Sequence, residues 1–135
     1  MFLQTEELER LFKVIDSSRD RAIFRIAYHA GLRASEVGML EMRDYNAKAD
    51  RLFIHRLKHS NSGDHHLCRE EVRTLRAWLR IRGSEPGAIF PSRRRRPIGR
   101  KMLDVLMKKY GRAAKLPRAL CHFHVLKHSC ATHLL

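Results

Sequence analysis

Residues Cys121–Leu135 read CHFHVLKHSCATHLL, and three of their polar side chains fall at a helical spacing. His124, Lys127 and His128 stand at positions i, i+3 and i+4, so they share one face of a helix predicted from about residue 122 onward. Three hydrogen-bond donors on one face suit a phosphoryl group, whose negative charge grows during its transfer. The stretch therefore predicts both a helix and a phosphate-binding face.

A second informative string, AGLRASEV, lies far upstream at Ala30–Val37. The pattern predicts a short helix from Ala34 to about Glu41, with Arg33 on the same face as Val37 and Leu40. The guanidinium of Arg33 then needs a polar partner. That partner is either Glu36 at i+3, in a weak local ion pair, or a bound phosphate, which suits the planar five-donor fork. The residues alone leave both interpretations open.

Together the two strings resemble the two arginine boxes of the tyrosine recombinases, also called phage-type integrases. In that family an arginine of a GLR-x-SE helix meets a His-x-x-Arg-His helix around one DNA phosphate. The resemblance implies that Arg33, His124 and Lys127 hold the scissile phosphate and that His128 has a more structural role. Lys127 stands where the family has its second arginine, so a point charge replaces a two-pronged fork. Loss of one preorganised donor can cost about 10²- to 10³-fold in rate.

Lys58 closes a predicted strand, Arg51–Lys58, beside the polar turn at residues 60–64. One interpretation is a solvated hairpin lysine. The resemblance implies instead a general acid that protonates the leaving 5′ oxygen, a role open to lysine because neighbouring cations lower its pKa. His59, its neighbour, is a weaker candidate for DNA contact.

The resemblance also implies a nucleophilic tyrosine several helical turns beyond the second box, and a reaction without metal or nucleotide cofactors. The three tyrosines, Tyr28, Tyr45 and Tyr110, all precede that box. We therefore expect residues 1–135 to form a single partial recombinase catalytic domain, without an N-terminal core-binding domain. Alone it should bind double-stranded DNA without cleaving it. The alternative is a non-catalytic DNA-binding or regulatory remnant.

The charge distribution supports a nucleic-acid partner. The formal net charge is +14, and Asp104 is the one acidic residue from Pro86 to Leu135. Such a surface attracts polyanions. Basic side chains contacting the phosphate backbone would add affinity and salt dependence without sequence choice, although a solvated loop fits the same pattern. The candidate DNA-binding residues in this half are Arg93, Arg94, Arg95, Arg96, Arg100 and Lys101.

The cysteines and histidines indicate the cellular compartment and whether a metal site is expected. Three cysteines without framework spacing favour a reducing cytoplasm, and no apolar run predicts a membrane span. Several possible zinc ligands crowd the last fifteen residues, but helical geometry points His128 and Cys130 about 160° apart. We predict no metal site, and a small zinc-binding module is the least favoured alternative.

Hydrophobic periodicity predicts an α+β fold, mostly α, with one small antiparallel sheet. Four further helices are predicted. The first starts with Thr5 as its cap, the second ends at Gly31, and the third ends near Gly83. The fourth runs from about residue 103 and is broken by Pro117. A strand at His65–Cys68 should pair with the Arg51–Lys58 strand. Residues 89–90 are predicted as an apolar plug, and Ser92–Pro97 as a basic loop. Apolar surface around Leu134 and Leu135 leads us to expect self-association.

Overall fold

The computed structural model describes residues 1–56 and 61–133. Its α-helices are Thr5–Val14 (α1), Ser18–Ala30 (α2), Ala34–Gly38 (α3), Arg69–Arg82 (α4), Arg100–Ala113 (α5) and Val125–His133 (α6). Strands Tyr45–Asn46 (β1), Arg51–Ile54 (β2) and Gly63–His66 (β3) form one antiparallel sheet in that order. Short 3-10 turns occupy Met42–Asp44 and Arg118–Leu120. The predicted class, α+β and mostly α, is confirmed.

Helix α2 forms the centre of the core. It packs against α4 on one side and α6 on another, while α1 packs against α5. Phe24 of α2 is fully buried. Its ring meets those of Tyr110 and Phe123 edge-on, at centroid distances of 5.6 Å and 5.5 Å. Each such ring pair stabilises the fold by about 0.5–1.5 kcal/mol beyond the burial of its area. Phe24 therefore packs α2 against both α5 and the segment before α6.

The first residues of the chain are bound to α6. Leu3 is fully buried, and its N–H donates to Ser129 Oγ at 2.8 Å. Its carbonyl faces Nε2 of His133 at 3.0 Å. Because a carbonyl only accepts, Nε2 carries the hydrogen, and Nδ1 can accept from Tyr28 Oη at 2.5 Å. This contact joins α2, α6 and the segment before α1.

Two predicted helix ends, at Gly31 and near Gly83, agree with the structure, whereas α3 ends at Gly38 instead of about Glu41 and the cap of α1 needs correction. Thr5 is the first helical residue, and Gln4 occupies the capping position, where its N–H donates to Glu7 Oε1 at 2.9 Å. Helix α2 ends at Gly31 as predicted, because Gly31 adopts the left-handed conformation with φ of +64°. Helix α4 ends before Gly83, also as predicted.

The sheet is smaller than predicted. Strand β2 ends at Ile54, and β3 runs from Gly63 to His66 instead of from His65 to Cys68. Beyond Ile54 the Arg56 N–H donates to the Ser62 side chain, at 2.9 Å from its Oγ, instead of to a backbone carbonyl of the partner strand. The side chains of His55 and Arg56 bond to Asp44 and to the end of α2. The two-residue β1 was not predicted, since so short a strand has no measurable period.

The predicted apolar plug is confirmed. Ile89 and Phe90 are buried, and the Ile89 N–H donates to the Leu40 carbonyl at 2.9 Å. The indole N–H of Trp78 donates to the Ile89 carbonyl at 2.8 Å, which fixes the plug against α4. Across the described residues, no helix is both long and apolar enough to cross a bilayer.

Candidate functional site

A polar pocket of about 310 Å³ opens where the α2–α3 junction meets the starts of α5 and α6. It brings together three segments that are distant in sequence, including both strings singled out above. Four of its side chains were predicted to contact phosphate or DNA. The lining residues are Arg33, Ala34, Ser35, Arg100, Asp104, Phe123, His124, Lys127 and His128.

Arg33 lines this pocket, but its predicted position within a helix is wrong. It is the exposed, extended residue before α3, whereas Val37 and Leu40 are buried. Glu36 does not form the predicted i+3 side-chain pair with it. The Glu36 carboxylate accepts instead from the Arg33 backbone N–H at 2.8 Å, a typical helix-start contact. The guanidinium therefore belongs to the pocket surface and not to an apolar helix face.

His124 immediately precedes α6, which begins at Val125 instead of near residue 122. The N–H of Phe123 donates to Asp104 Oδ1 at 3.2 Å, which fixes this approach to α5. The His124 ring stacks on that of His122 at 5.7 Å and meets that of His128 at 5.3 Å. Partial burial lowers the pKa of His124, and the adjacent His128 and His122 lower it further.

Lys127 faces the same pocket from the first turn of α6. Its Nζ donates to the Gly31 carbonyl at 3.0 Å, and the side chain is half-buried. An ammonium has three donors, so two remain for other acceptors. His124, Lys127 and His128 all line the pocket, although His124 lies just before α6 and not on its helical face as predicted.

Arg56 supports this site and was missed in the sequence. Its Nη1 donates to the Gly31 carbonyl at 3.0 Å and to Glu36 Oε1 at 3.2 Å, and its Nη2 donates to the Ala30 carbonyl at 2.7 Å. Glu36 is 1% exposed. Arg56 thus links the end of β2 to the α2–α3 junction, immediately behind Arg33. A buried carboxylate in the AGLRASEV string was the one available indication, since such a group needs a cationic partner.

The basic run lies partly outside the pocket. Arg93 to Arg96 are exposed on a tight turn that a bridge between Pro91 and Pro97 closes, and Arg95 has a φ of +61°. Arg100, at the start of α5, lines the pocket, whereas Lys101 is exposed beside it. The six residues therefore extend the positive surface from the pocket along the approach to α5.

Lys58 and His59 lie outside the described residues. Among the described residues on either side, Ile54 of β2 pairs with Gly63 of β3, and the Arg56 N–H donates to Ser62 Oγ at 2.9 Å.

No tyrosine lines this pocket in residues 1–56 and 61–133. Tyr110 is 2% exposed, and its hydroxyl donates to the buried Asp20 Oδ2 at 2.5 Å. Burial, followed by this bond, raises the pKa of Tyr110 far above its ordinary value. Tyr110 is therefore a core residue. The Tyr28 hydroxyl contacts His133, as described above.

The crowded ligand-type residues near the end of the chain have separate roles. Cys121 packs against α5 at Gly111, where a Cβ would lie 2.6 Å from its Sγ. The Cys130 thiol points at the His29 carbonyl, 3.8 Å away. His133 holds Leu3 and Tyr28, so these three side chains face different neighbours.

Comparison with known proteins agrees with both the fold and the two strings. The model of the phage integrase family matches residues 1–135. Type 1 fimbriae regulatory protein FimB of Escherichia coli K12 is 35% identical, over 96% of this chain and 68% of its own length. Tyrosine recombinase XerA of Pyrococcus horikoshii is 29% identical, over 98% of this chain and 47% of its own.

Three solved structures share the fold. The XerA recombinase crystal structure superposes with a TM-score of 0.87 at 22% identity, over 99% of this chain and 49% of that one. The structure of XerH bound to its difH substrate superposes with a TM-score of 0.81 at 24% identity, over 98% of this chain and 42% of that one. The lambda integrase catalytic core superposes with a TM-score of 0.75 at 20% identity, over 97% of this chain and 81% of that one. The chain thus spans about half the length of the Xer recombinases. Since the family model covers residues 1–135 and FimB is 35% identical over most of both chains, this chain belongs to the phage integrase family.

Proposed function

We propose that this chain binds duplex DNA and holds one backbone phosphate in the pocket between Arg33 and the start of α6. It would serve as the phosphate-binding part of a site-specific recombinase catalytic domain. The observation that carries the proposal is the convergence of Arg33, Lys127, His124 and Arg100 on one pocket from three distant segments. Arg, Lys and His are the side chains that donate to phosphate oxygens.

The electrostatics of the pocket support an anionic ligand. Asp104 is its one lining carboxylate within the described part of the chain, and it is already bonded to the backbone before α6. Gathering several cations raises their mutual repulsion, which a bound phosphate relieves. The lowered pKa of His124 has the same origin, in part, because its histidine neighbours disfavour its protonation. Membership of the family, and a neighbour solved in a DNA complex, point to DNA as the source of that phosphate.

In this proposal Arg33 supplies a two-pronged clamp to the non-bridging oxygens. Lys127 supplies a point charge on the opposite side, anchored by the Gly31 carbonyl. His124 donates a hydrogen bond that strengthens as negative charge develops on the phosphoryl oxygens. Lys58 would protonate the leaving 5′ oxygen, an assignment that rests on the family resemblance and on the proximity of Arg56 to the pocket.

The family reaction forms a bond from a tyrosine oxygen to phosphorus while the bond from phosphorus to the 5′ oxygen breaks. The tyrosine proton passes to a base, and the leaving oxygen gains one from the general acid. None of Tyr28, Tyr45 and Tyr110 lines the pocket, so we propose that the tyrosine comes from outside residues 1–135. We further propose that residues 1–135 form one partial catalytic domain. Recombinase protomers that contain this domain would assemble with one another on DNA.

DNA binding tests this proposal directly. Fluorescence anisotropy with a labelled duplex should give an affinity that falls steeply with added salt, because each neutralised phosphate releases counterions. Arg33→Gln should weaken binding by roughly tenfold, and should reduce the magnitude of the log–log salt slope by about 1. Arg80→Gln, which removes an exposed arginine of α4 far from the pocket, is the matched control. Equal losses in the two variants would contradict a specific phosphate site.

A nicked suicide duplex then distinguishes binding from strand cleavage. Residues 1–135 should yield no covalent protein–DNA species on a denaturing gel. A covalent species would refute the proposed origin of the nucleophile outside this segment, and mass spectrometry of the adduct would then identify the attacking residue.

A regulatory DNA-binding role is the second candidate. Lys127 favours it, because a lysine in place of the second arginine retains charge while losing one prong of the phosphate clamp. The similarity to a protein named for fimbrial regulation fits this candidate as well. Tight binding by the wild-type chain, together with absent cleavage even when a tyrosine-bearing partner protomer is supplied, would favour it.

A further inference from the structure

A group of metal-ligating side chains lies away from the phosphate pocket, where α2 packs against the start of α4. A ring nitrogen of His29, the Cys68 Sγ and a carboxylate oxygen of Glu70 lie within 4.8 Å of one another. His29 is in the last turn of α2, Cys68 directly precedes α4, and Glu70 is in the first turn of α4. Because α2 and α4 are closely packed, the positions of the three backbones are fixed.

His29 supplies an independent indication that this group binds something. Its Nε2 is buried and has no hydrogen-bond partner within the described residues. A buried polar atom left unpaired is costly and rare in folded proteins. Such a ring nitrogen is available as a metal ligand. Neutral imidazole is the form that coordinates metals.

The spacing fits a small tetrahedral ion. With Zn–S bonds of about 2.3 Å and Zn–O bonds of about 2.1 Å, sulfur and oxygen ligands of one tetrahedron lie about 3.6 Å apart. The Cys68 Sγ and Glu70 Oε2 are 3.6 Å apart. The imidazole nitrogen, at most 4.8 Å from either atom, needs only a small side-chain rotation to complete the third vertex.

We propose that His29, Cys68 and Glu70 bind one zinc ion, with water as the fourth ligand. Nitrogen, thiolate and carboxylate together form a ligand set that zinc accepts. Binding would release the Cys68 thiol proton to solvent and leave a neutral unit of one Zn²⁺, one thiolate and one carboxylate.

The zinc would cross-link two helices next to the phosphate pocket. His29 is two residues before Gly31, the carbonyl of which accepts from both Arg56 and Lys127. Holding the end of α2 against α4 would therefore stabilise the backbone that positions Arg33. The site is separate from the pocket, so its presence does not depend on the proposed DNA function.

Metal binding by the purified chain tests the proposal. After chelation and dialysis, cobalt should bind at about one equivalent and give a thiolate-to-cobalt charge-transfer band. Cys68→Ser should abolish the band, and Cys121→Ser should retain it. Glu70→Gln should weaken cobalt and zinc binding by at least tenfold, whereas Glu9→Gln on α1 should leave it unchanged.

Thermal unfolding provides a second readout that does not depend on colour. Zinc should raise the Tm of the wild-type chain but not that of Cys68→Ser. Serine is a favourable helix-capping residue, so Cys68→Ser should fold normally in chelator. The proposal is overturned if no cobalt–thiolate band forms, if the band survives in Cys68→Ser, or if zinc raises the Tm of both proteins equally.

Discussion

At the scale of single residues, Lys127 determines how strongly the pocket holds phosphate. One of its three donors is used by the Gly31 carbonyl. An arginine at this position could keep that bond through one nitrogen and present a fork to the phosphate. We expect Lys127→Arg to tighten DNA binding by about tenfold, or about 1.4 kcal/mol, and Lys127→Gln to weaken it by a similar factor.

Anisotropy titrations at fixed salt measure this effect. Lys13→Arg, the same change on α1 outside the pocket, is the control and should leave the affinity unchanged. A loss of affinity in Lys127→Arg would mean that the pocket is shaped for the smaller cation.

His124 should make DNA binding dependent on pH. Burial, His128 and His122 lower its pKa below the ordinary value of about 6.5, while Asp104 opposes them and Arg100 adds to them. A bound phosphate favours the imidazolium and raises that pKa, so binding takes up a proton. Affinity should therefore increase as pH falls from about 8 to about 6, and should be nearly flat above that range.

The comparison of His124→Gln with wild type over this pH range tests the assignment. The variant should lose most of the pH dependence. His66→Gln, which removes an exposed histidine of β3, should retain the full slope. An unchanged slope in His124→Gln would assign the proton to another group.

The residues of the pocket were largely predictable, and their supports were not. Arg33, His124 and Lys127 were found from two short strings and a helical spacing, and they do line one pocket. Arg56 and Asp104 escaped detection because each acts through a tertiary contact, to the end of α2 and to the backbone before α6. No local period marks such contacts. The position of Arg33 was misassigned because Glu36 bonds to its backbone and not to its side chain.

At the scale of elements, Arg56 holds β2 to the α2–α3 junction. Its side chain is 19% exposed, and its partners are the Ala30 and Gly31 carbonyls and Glu36. Arg56→Met keeps the length of the stem but removes every one of these donors. We expect it to lower the free energy of unfolding by about 3 kcal/mol, as when one partner of a buried ion pair is removed.

Urea denaturation measures this loss. Arg76→Met is the control, because the exposed ion pair of Arg76 with Asp50, at 3.0 Å, should contribute little to stability. Comparable losses in both variants would show that Arg56 contributes no more than a surface residue.

Gly111 sets the distance between α5 and the approach to α6. Alanine is normally favoured over glycine inside a helix by about 1 kcal/mol. Here a Cβ would lie 2.6 Å from the Cys121 Sγ and 3.4 Å from its Cβ. Gly111→Ala should therefore destabilise the protein by about 1–3 kcal/mol.

A double-mutant cycle isolates this contact. In a Cys121→Ala background the sulfur is absent, so Gly111→Ala should cost less than half as much in the free energy of unfolding. A cost that is the same in both backgrounds would exclude the clash with Cys121 as its cause.

Elements with a strong period were predictable and the others were not. The helices ending at Gly31 and Gly83 follow from apolar faces and glycine stops. The start of α6 at Val125 and the short β1 depend on tertiary contacts, such as the bond from the Phe123 N–H to Asp104. The early end of β2 was not predictable either, because the Arg56 N–H donates to a side chain, Ser62 Oγ, a contact that no alternation of residues marks.

At the scale of the whole molecule, opposing effects govern self-association. The net charge of +14 repels copies of the chain. Large apolar side chains are nevertheless exposed, including Val105 at 58% and Met102 at 46%, which lie three residues apart on α5. Leu134 and Leu135, the residues that suggested association, lie outside the described residues.

We expect a monomer at low salt and association at high salt, where charges are screened over a few ångströms. Multi-angle light scattering at both ionic strengths checks this. Val105→Ser should reduce the high-salt association, and Ser92→Thr should not affect it. A monodisperse monomer under both conditions would contradict the expectation.

The bond of Leu3 to Ser129, with His133 closing over the Leu3 carbonyl, has a consequence for biosynthesis. Leu3 emerges from the ribosome more than a hundred residues before its partners Ser129 and His133. Until then, the apolar surfaces of α1 and α2 that await α5 and α6 remain uncovered. Contacts of such long sequence separation slow folding and leave nascent chains open to aggregation. The growing polypeptide should therefore need a holding chaperone until α6 has cleared the exit tunnel, and a stalled translation product should be degraded.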